Sequence, residues 1–345
     1  MPGLQKKVIA KTLSDRVKWW SYSIKNPACL KEVLELSTSE SDKLNDNDKQ
    51  KIKDFQQSIV DNTIVTGGCI ASMLLGEDIN DIDIYFSDKE IASKVAKYYV
   101  LTMVESGKLS ETYKVSQITV KPNLEGGIEI YIQSQGVTGD VVKSTQDYDY
   151  FENRGGNVVE QFFSEYLKSG VKVKTEDKKK HDVSFMSSNA ISLQNGIQLI
   201  FRFIGDITEI HKNFDFMHCT NYWTQSGGVQ YKVEALQALL EKRLINQGSL
   251  FPVAALFRLR KFIARGYRIT AGELTKIAYD ISKLNLDDIT VLKQQLMGCD
   301  VAYFHEVLKI LQSEKRENID RTYLVSIIDR VFNDHDIEAD VNDNG

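Results

Sequence analysis

The apolar positions between residues 60 and 86 change period twice. Ile64 and Val65 form a short apolar run that ends at Gly67-Gly68. Cys69 to Leu75 is a continuous apolar block that ends at Gly76, a residue suited to stopping a helix. Ile82, Ile84 and Phe86 then alternate with Asp81, Asp83 and Tyr85, which is the period of a strand. The pattern predicts strand, short helix, strand. Before it, the chain reads as mostly helical. Val8 to Trp20 has an irregular apolar pattern, and Asn26 to Glu35 a short helix with Asn26 as cap and Pro27 in the first turn. A polar, acidic loop follows over 39–48, and a helix over 49–60 sets Ile52, Phe55 and Ile59 on one side. Trp19 and Trp20 are read as packing residues, since sequence neighbours do not share one helix face.

After Phe86, residues 88–104 form an amphipathic pattern with Ile91, Val95, Tyr98 and Tyr99 on one side. Strand-like runs cover 115–120 and 128–132, followed by a Gly-, Asp- and Tyr-rich loop over 134–157 and a short helix over 158–167. Further strands are expected at 183–185, 191–193, 197–203 and 213–216, with a short helix at 206–212. From Tyr231 the pattern turns helical: Val233, Leu236, Leu239 and Leu240 make one stripe, and a second helix runs from Pro252 to Gly266. Helical segments continue over 272–284, 287–296 and 323–332, and the acidic stretch 334–345 lacks core-forming residues. The expected organisation is therefore an N-terminal helical region (1–49), a mixed sheet with flanking helices (50–225), a mainly α-helical C-terminal domain (230–333) and a disordered tail (334–345).

Composition narrows the setting. A charged fraction of 26% and a net charge of −5 describe a globular chain with no overall case for polyanion binding. Cys29, Cys69, Cys219 and Cys299 form no CxxC pair, which argues against a disulfide framework or a zinc site and for a reducing compartment. No apolar run reaches membrane-spanning length and the first twenty residues lack a signal-like apolar core, so a cytoplasmic protein is expected. Two local charge clusters stand out. Residues 168–180 carry six lysines against Glu176 and Asp177, and from Lys242 to Lys276 eight basic residues face a single acidic one, Glu273. Each is either a solvated surface or a phosphate contact.

The candidate chemistry lies on the strand with the two aspartates. Side chains alternate across a strand, so Asp81 and Asp83 leave it on one face, roughly 6–7 Å apart along the backbone. Paired hard carboxylates with open positions suit Mg²⁺ that shares its shell with substrate phosphates. Gly67 and Gly68 let backbone amides approach a phosphate at a helix start. A double glycine, twelve residues, then Asp-Ile-Asp resembles the signature of DNA polymerase β-type nucleotidyltransferases. It departs from many members in having Gly68 where they have serine; Ser72, one turn on, is a candidate hydroxyl. The SSNAISL and FDFxHxxNY stretches resemble nucleotidyltransferases of large tailed phages. Absent P-loop, GxGxxG, HExxH and GxSxG motifs exclude the common alternatives.

The resemblance implies an α+β, polymerase β-like catalytic domain and an enzyme that moves an NMP from a nucleoside triphosphate to an acceptor hydroxyl, releasing pyrophosphate. It implies two Mg²⁺ ions, with Mn²⁺ as a substitute, held by Asp81, Asp83 and a third carboxylate on a neighbouring strand. Asp215, between Phe214 and Phe216, is the candidate for the third; the competing reading is an aspartate that caps a turn. Arg258, Lys261 and Arg265 share one side of a basic helix and are candidates for the triphosphate, together with Gly67, Gly68 and Ser72. The resemblance also implies a virus-encoded protein acting in a bacterial cytoplasm. Three acceptor readings stay open: an RNA 3′ end, a protein or small-molecule hydroxyl, or none at all in a binding module that kept the fold.

Overall fold

The computed structural model describes residues 2–37, 44–79, 81–105, 118–123, 126–132, 182–186 and 189–288, with Val291, Leu292, Gln295, Thr322 and Val325. The loop expected over 134–157, the helix over 158–167, the lysine run 168–180 and the tail lie outside these residues, as does most of the helical sequence after 288. The chain divides into unit 1, Met1–Ile210 with Asn221–Tyr231, and unit 2, His211–Thr220 with Lys232–Gly345. No helix among the described residues is long and apolar enough to cross a membrane.

Unit 1 is a mixed sheet covered on one face by helices. The N-terminal helices are α1 (Pro2–Ser23), α2 (Pro27–Leu34) and α3 (Asp46–Asp61). The Asn26 side chain accepts from the Ala28 N–H, and Asn45 caps α3 by accepting from the Asp48 N–H. Strand β1 (Thr63–Thr66), helix α4 (Gly68–Leu75), strand β2 (Ile82–Phe86) and helix α5 (Lys89–Glu105) follow. Next come β3 (Ile118–Pro122), β4 (Ile128–Ile132), β5 (Val183–Met186), β6 (Ala190–Leu193), β7 (Ile197–Ile204), β8 (Tyr222–Thr224) and β9 (Gly228–Gln230). Seven strands form one sheet in the order β5-β6-β7-β2-β1-β8-β9; β3 and β4 form a separate hairpin. The β2–β7 pair is parallel and every other pair in the large sheet antiparallel.

Strand alternation divides the two faces of this sheet. Val65, Ile82, Ile84, Phe86, Ile191, Leu193, Ile197, Leu199, Phe201, Trp223 and Val229 join one buried core with residues of α1, α2, α3 and α5. The Phe86 and Phe201 rings stack with centroids 5.6 Å apart. On the opposite face of the same strands stand Asp83, Gln198, Ser192, Tyr222, Thr224 and Gln230, all half-buried. An antiparallel-type sheet with one packed and one polar face has this composition. The N-terminal helices are part of the same core rather than a separate region, because Leu13, Trp20, Ile24 and Leu30 are fully buried in it. Trp20 Nε1–H donates to the Tyr99 hydroxyl at 2.8 Å, and the Gln56 amide donates to Ile24 O at 2.9 Å. Trp19 departs from the packing role expected for it: it is 49% exposed, while its neighbour Trp20 is fully buried.

The described part of unit 2 is mainly helical. It contains α7 (Val233–Leu240), α8 (Pro252–Ala264) and α9 (Ala271–Ile281), with the short helix α6 (Ile207–His211) leading into it. Two-residue strands β10 (Arg243–Leu244) and β11 (Arg268–Ile269) pair in parallel. Pro252 occupies the first turn of α8, and Gly266 follows its end at φ +83°. The strand expected at 213–216 does not form. Phe214 N–H turns back to His211 O, Asp215 lies in a bend, and Phe216 makes an isolated bridge to Asn246 before a 3₁₀ turn over Met217–Cys219.

Candidate active site

The site begins where β1 ends. Gly67 has φ +101° and ψ −157°, a conformation that side chains other than hydrogen rarely adopt, and it turns the chain from β1 into α4. As the N-cap of α4 it offers no side-chain acceptor, so the first-turn N–H groups are not capped by a side chain of their own segment. A Cβ on Gly67 would lie 3.0 Å from Asp83 Oδ2, whereas one on Gly68 would meet nothing within 4 Å. The glycine thus leaves room for the carboxylate, and Gly68 borders open space at the helix start. Asp83 is half-buried between the buried Ile82 and Ile84. Asp81 is exposed and immediately precedes β2, where the Ile82 N–H donates to Gly196 O at 2.7 Å. Gly76 ends α4 at φ +73°, and Ser72 is buried, with its carbonyl accepting from the Gly76 N–H. The structure therefore joins Gly67 and Asp83 directly. Ser72 sits on the buried side of α4.

Asp215 has other surroundings. It is only 6% exposed, and its Oδ2 accepts from Arg258 Nε in an ion pair within unit 2. Its Oδ1 is buried without a hydrogen-bond partner among the described residues, and its backbone oxygen accepts from the Gln247 N–H and, at 3.4 Å, from the Asn246 amide. So Asp215 lies in a bend and not on the strand that the sequence led one to expect. The strands that flank β2 are β1 and β7, and on β7 Gln198 pairs with Asp83. Arg258 is engaged by a carboxylate of its own unit. Of the two other basic candidates, Lys261 is exposed on α8 and Arg265 is half-buried as its C-cap.

Two histidines lie near Asp215 in the chain, and both are buried. His218 is ringed by Phe262 and Tyr267, at 4.4 and 4.6 Å between centroids, and burial pushes its pKa down to about 4. His211 is pushed down to about 3, first by burial and then by the Lys232 ammonium, whose Nζ is 2.9 Å from its Nδ1. Both are buried among the side chains that surround them. Among the described residues no group of three or more His, Cys, Asp or Glu side chains is arranged to hold a metal ion.

Comparison with known proteins gives the family. The family described as "Gabija anti-defense 2 family protein" matches residues 39–242, well over half of the chain. The chain belongs to this family. The matched span runs from α3 through the whole sheet into α7, and so contains Gly67, Asp81, Asp83 and Asp215. Gabija anti-defense 2 of Bacillus phage SPbetaL7 is 26% identical over 159 residues, which cover 42% of this chain and 37% of that protein. The chain thus spans little more than a third of the length of the curated relative it matches. Among solved structures, a CCA-adding enzyme with CTP shows 14% identity and a TM-score of 0.34, covering 95% of this chain and 69% of that one. The Thermotoga maritima CCA-adding enzyme complexed with tRNA shows 13% identity and a TM-score of 0.32 over 91% and 68%. These scores fix no residue correspondence.

Proposed function

We propose that this member of the Gabija anti-defense 2 family is a divalent-metal-dependent nucleotidyltransferase. The observation that carries the reading is the approach of Asp83 Oδ2 to the positive-φ Gly67 at the start of α4. It brings one carboxylate to a helix N-terminus, a combination that suits a metal-bound triphosphate. Asp83 on β2 and Asp81 just before it are hard oxygen donors two residues apart, and such donors suit a small divalent cation. These two carboxylates would hold Mg²⁺ or Mn²⁺, which when bound neutralises phosphate charge and lowers the pKa of a coordinated hydroxyl.

The chain's own residues then do the following. The α4 N-terminus and the Gly68 backbone receive phosphate oxygens, with the positive end of the helix dipole facing them. Asp81 and Asp83 would hold the cation whose positive charge offsets that of the α-phosphate during in-line attack by the acceptor oxygen. The new P–O bond forms as the bond to the bridging oxygen breaks, pyrophosphate leaves, and the hydroxyl proton passes to solvent. Arg258, in unit 2, serves Asp215.

The family bears on the acceptor. The relative from Bacillus phage SPbetaL7 is named for opposing the Gabija defence. That name favours an acceptor hydroxyl on a component of that defence over the RNA 3′ end suggested by the resemblance. The test offers purified protein each α-³²P-labelled NTP with Mg²⁺, using Gabija components and host RNA as separate acceptors, beside Asp83→Asn. Label on a Gabija component that is lost in Asp83→Asn supports the reading, and label on RNA moves the acceptor. If no NTP gives label while Asp83→Asn still protects a phage from Gabija, the chain acts by binding alone.

A further inference from the structure

Among the described residues of unit 1, the exposed large apolar side chains are Val8, Trp19 and Tyr22, and all three belong to α1. Intervals of eleven and three residues set them on one face of that helix. Beside Trp19 lies a cavity of about 290 Å³, lined among the described residues by Arg16 and Trp19 of α1 and by Asn195 and Ile197 where β7 begins. Ile197 gives it an apolar floor and stands level with Ile82 on β2. Asn195 Oδ1 accepts from the Ile197 N–H at 3.3 Å, and Gly196 O accepts from the Ile82 N–H at 2.7 Å. The turn that walls the cavity is thereby tied to the central strand. Arg16 is exposed and has no hydrogen bond or ion pair among the described residues.

We infer that this cavity is a docking site for a partner protein that inserts an aromatic side chain flanked by carboxylates. An apolar cavity of about 150 Å³ already holds a benzene ring, so a phenylalanine ring fits here, over Ile197 and against the Trp19 indole. Arg16 then meets a neighbouring carboxylate with its planar, two-pronged guanidinium. Charge selects the same partner. Helix α1 carries Lys6, Lys7, Lys11, Arg16 and Lys18 against the single acidic Asp15, in a chain whose net charge is −5. An acidic segment is drawn to this helix rather than to the chain as a whole. Trp, Tyr and Arg around a pocket are also the residue types that carry most of the energy of protein–protein binding. Nucleic acid fits less well: the cavity holds one cation rather than a row of them, and the aliphatic Val8 and Ile197 offer no stacking surface to a base. The inference is independent of nucleotidyl transfer, since none of these residues belongs to the Gly67–Asp83 site.

The test uses the full chain and a short fluorescein-labelled peptide of Asp, Glu, Gly and Ser with one central Phe. Its controls are the same peptide with Ala for Phe, the same peptide with Asn and Gln for its acids, and a labelled oligouridylate. Anisotropy reads binding. Trp20 and Trp223 are fully buried, so acrylamide quenching of tryptophan emission reports Trp19. The Phe peptide should bind and shield Trp19 from acrylamide, and each control peptide should bind at least about tenfold more weakly. Trp19→Ala and Arg16→Glu, both at exposed positions, should weaken the Phe peptide by a similar factor, with thermal melts unchanged. No binding of the Phe peptide at millimolar concentration would overturn the inference. So would equal binding of the Phe and Ala peptides, which compares ligands on the same wild-type protein. Tighter binding of the oligouridylate would overturn it in favour of nucleic acid. Self-association in sedimentation that is lost in Trp19→Ala would overturn it in favour of a second copy of this chain.

Discussion

Asp83 and Asp215 share a local sequence signature, each standing between two apolar residues, and the structure treats them in opposite ways. Asp83 lies on the central strand of unit 1, half-buried, with its carboxylate in the room left by the missing Cβ of Gly67. Asp215 lies in a bend of unit 2, almost wholly buried, with one oxygen held by Arg258. A half-buried carboxylate keeps part of its surface in contact with solvent. One already neutralised by a guanidinium is part of the structure that surrounds it. The difference comes from the next layer of residues, not from the flanking apolar pair, and each half of it can be tested.

The largest effect expected is from acid. Among the described residues both histidines belong to unit 2, and burial holds them at pKa values of about 4 and about 3. An unfolded histidine titrates near pH 6.5, so below that pH the unfolded state binds protons that the folded state refuses. Stability is fully present above pH 6.5 and falls as the pH drops from there towards 4. Regional hydrogen exchange should show unit 2 losing protection over this window before unit 1 does. Equal loss in both units would remove the contrast. Arg258→Ala is expected next: it leaves a buried carboxylate uncompensated, at a cost of about 3 kcal/mol in denaturant melts. Gly67→Ala should cost about 2 kcal/mol, because it forces a Cβ into a left-handed conformation against Asp83 Oδ2. Gly68→Ala, with open space around the new methyl group, should stay within about 0.5 kcal/mol. The smallest change in stability is expected for Asp83→Asn, within about 0.5 kcal/mol, although it should abolish nucleotidyl transfer. A large destabilisation there would place Asp83 in the same structural class as Asp215.

The strand–helix–strand around Gly67 was legible because each element is short and bounded by its own signal. The double glycine ends β1, Gly76 ends α4, and the Ile-Asp-Ile alternation declares β2. The cap at Asn26 and strands β4 to β7 were legible for the same local reason. Residues 213–216 were not. Three alternating residues are too few to distinguish a strand from a bend, and Phe216 is placed by Phe262, a contact between segments far apart in sequence. The β8–β9 hairpin was left unassigned, since strands of three residues give no periodicity to read. The pairing of Asp83 with Gln198 lay beyond local pattern altogether. Only the register of two distant strands sets those side chains next to each other.

The placement of β1 also has a consequence in time. It lies between β2, which follows it closely in the chain, and β8, which is not synthesised until residues 222–224. A growing polypeptide that has made the glycine turn and both aspartates therefore still carries a bare strand edge beside them. Such an edge pairs readily with any other extended chain. The molecule has an interval during its own production when the Gly67 turn is made but its strand edge is unguarded. Translation through the 222–230 hairpin closes that interval.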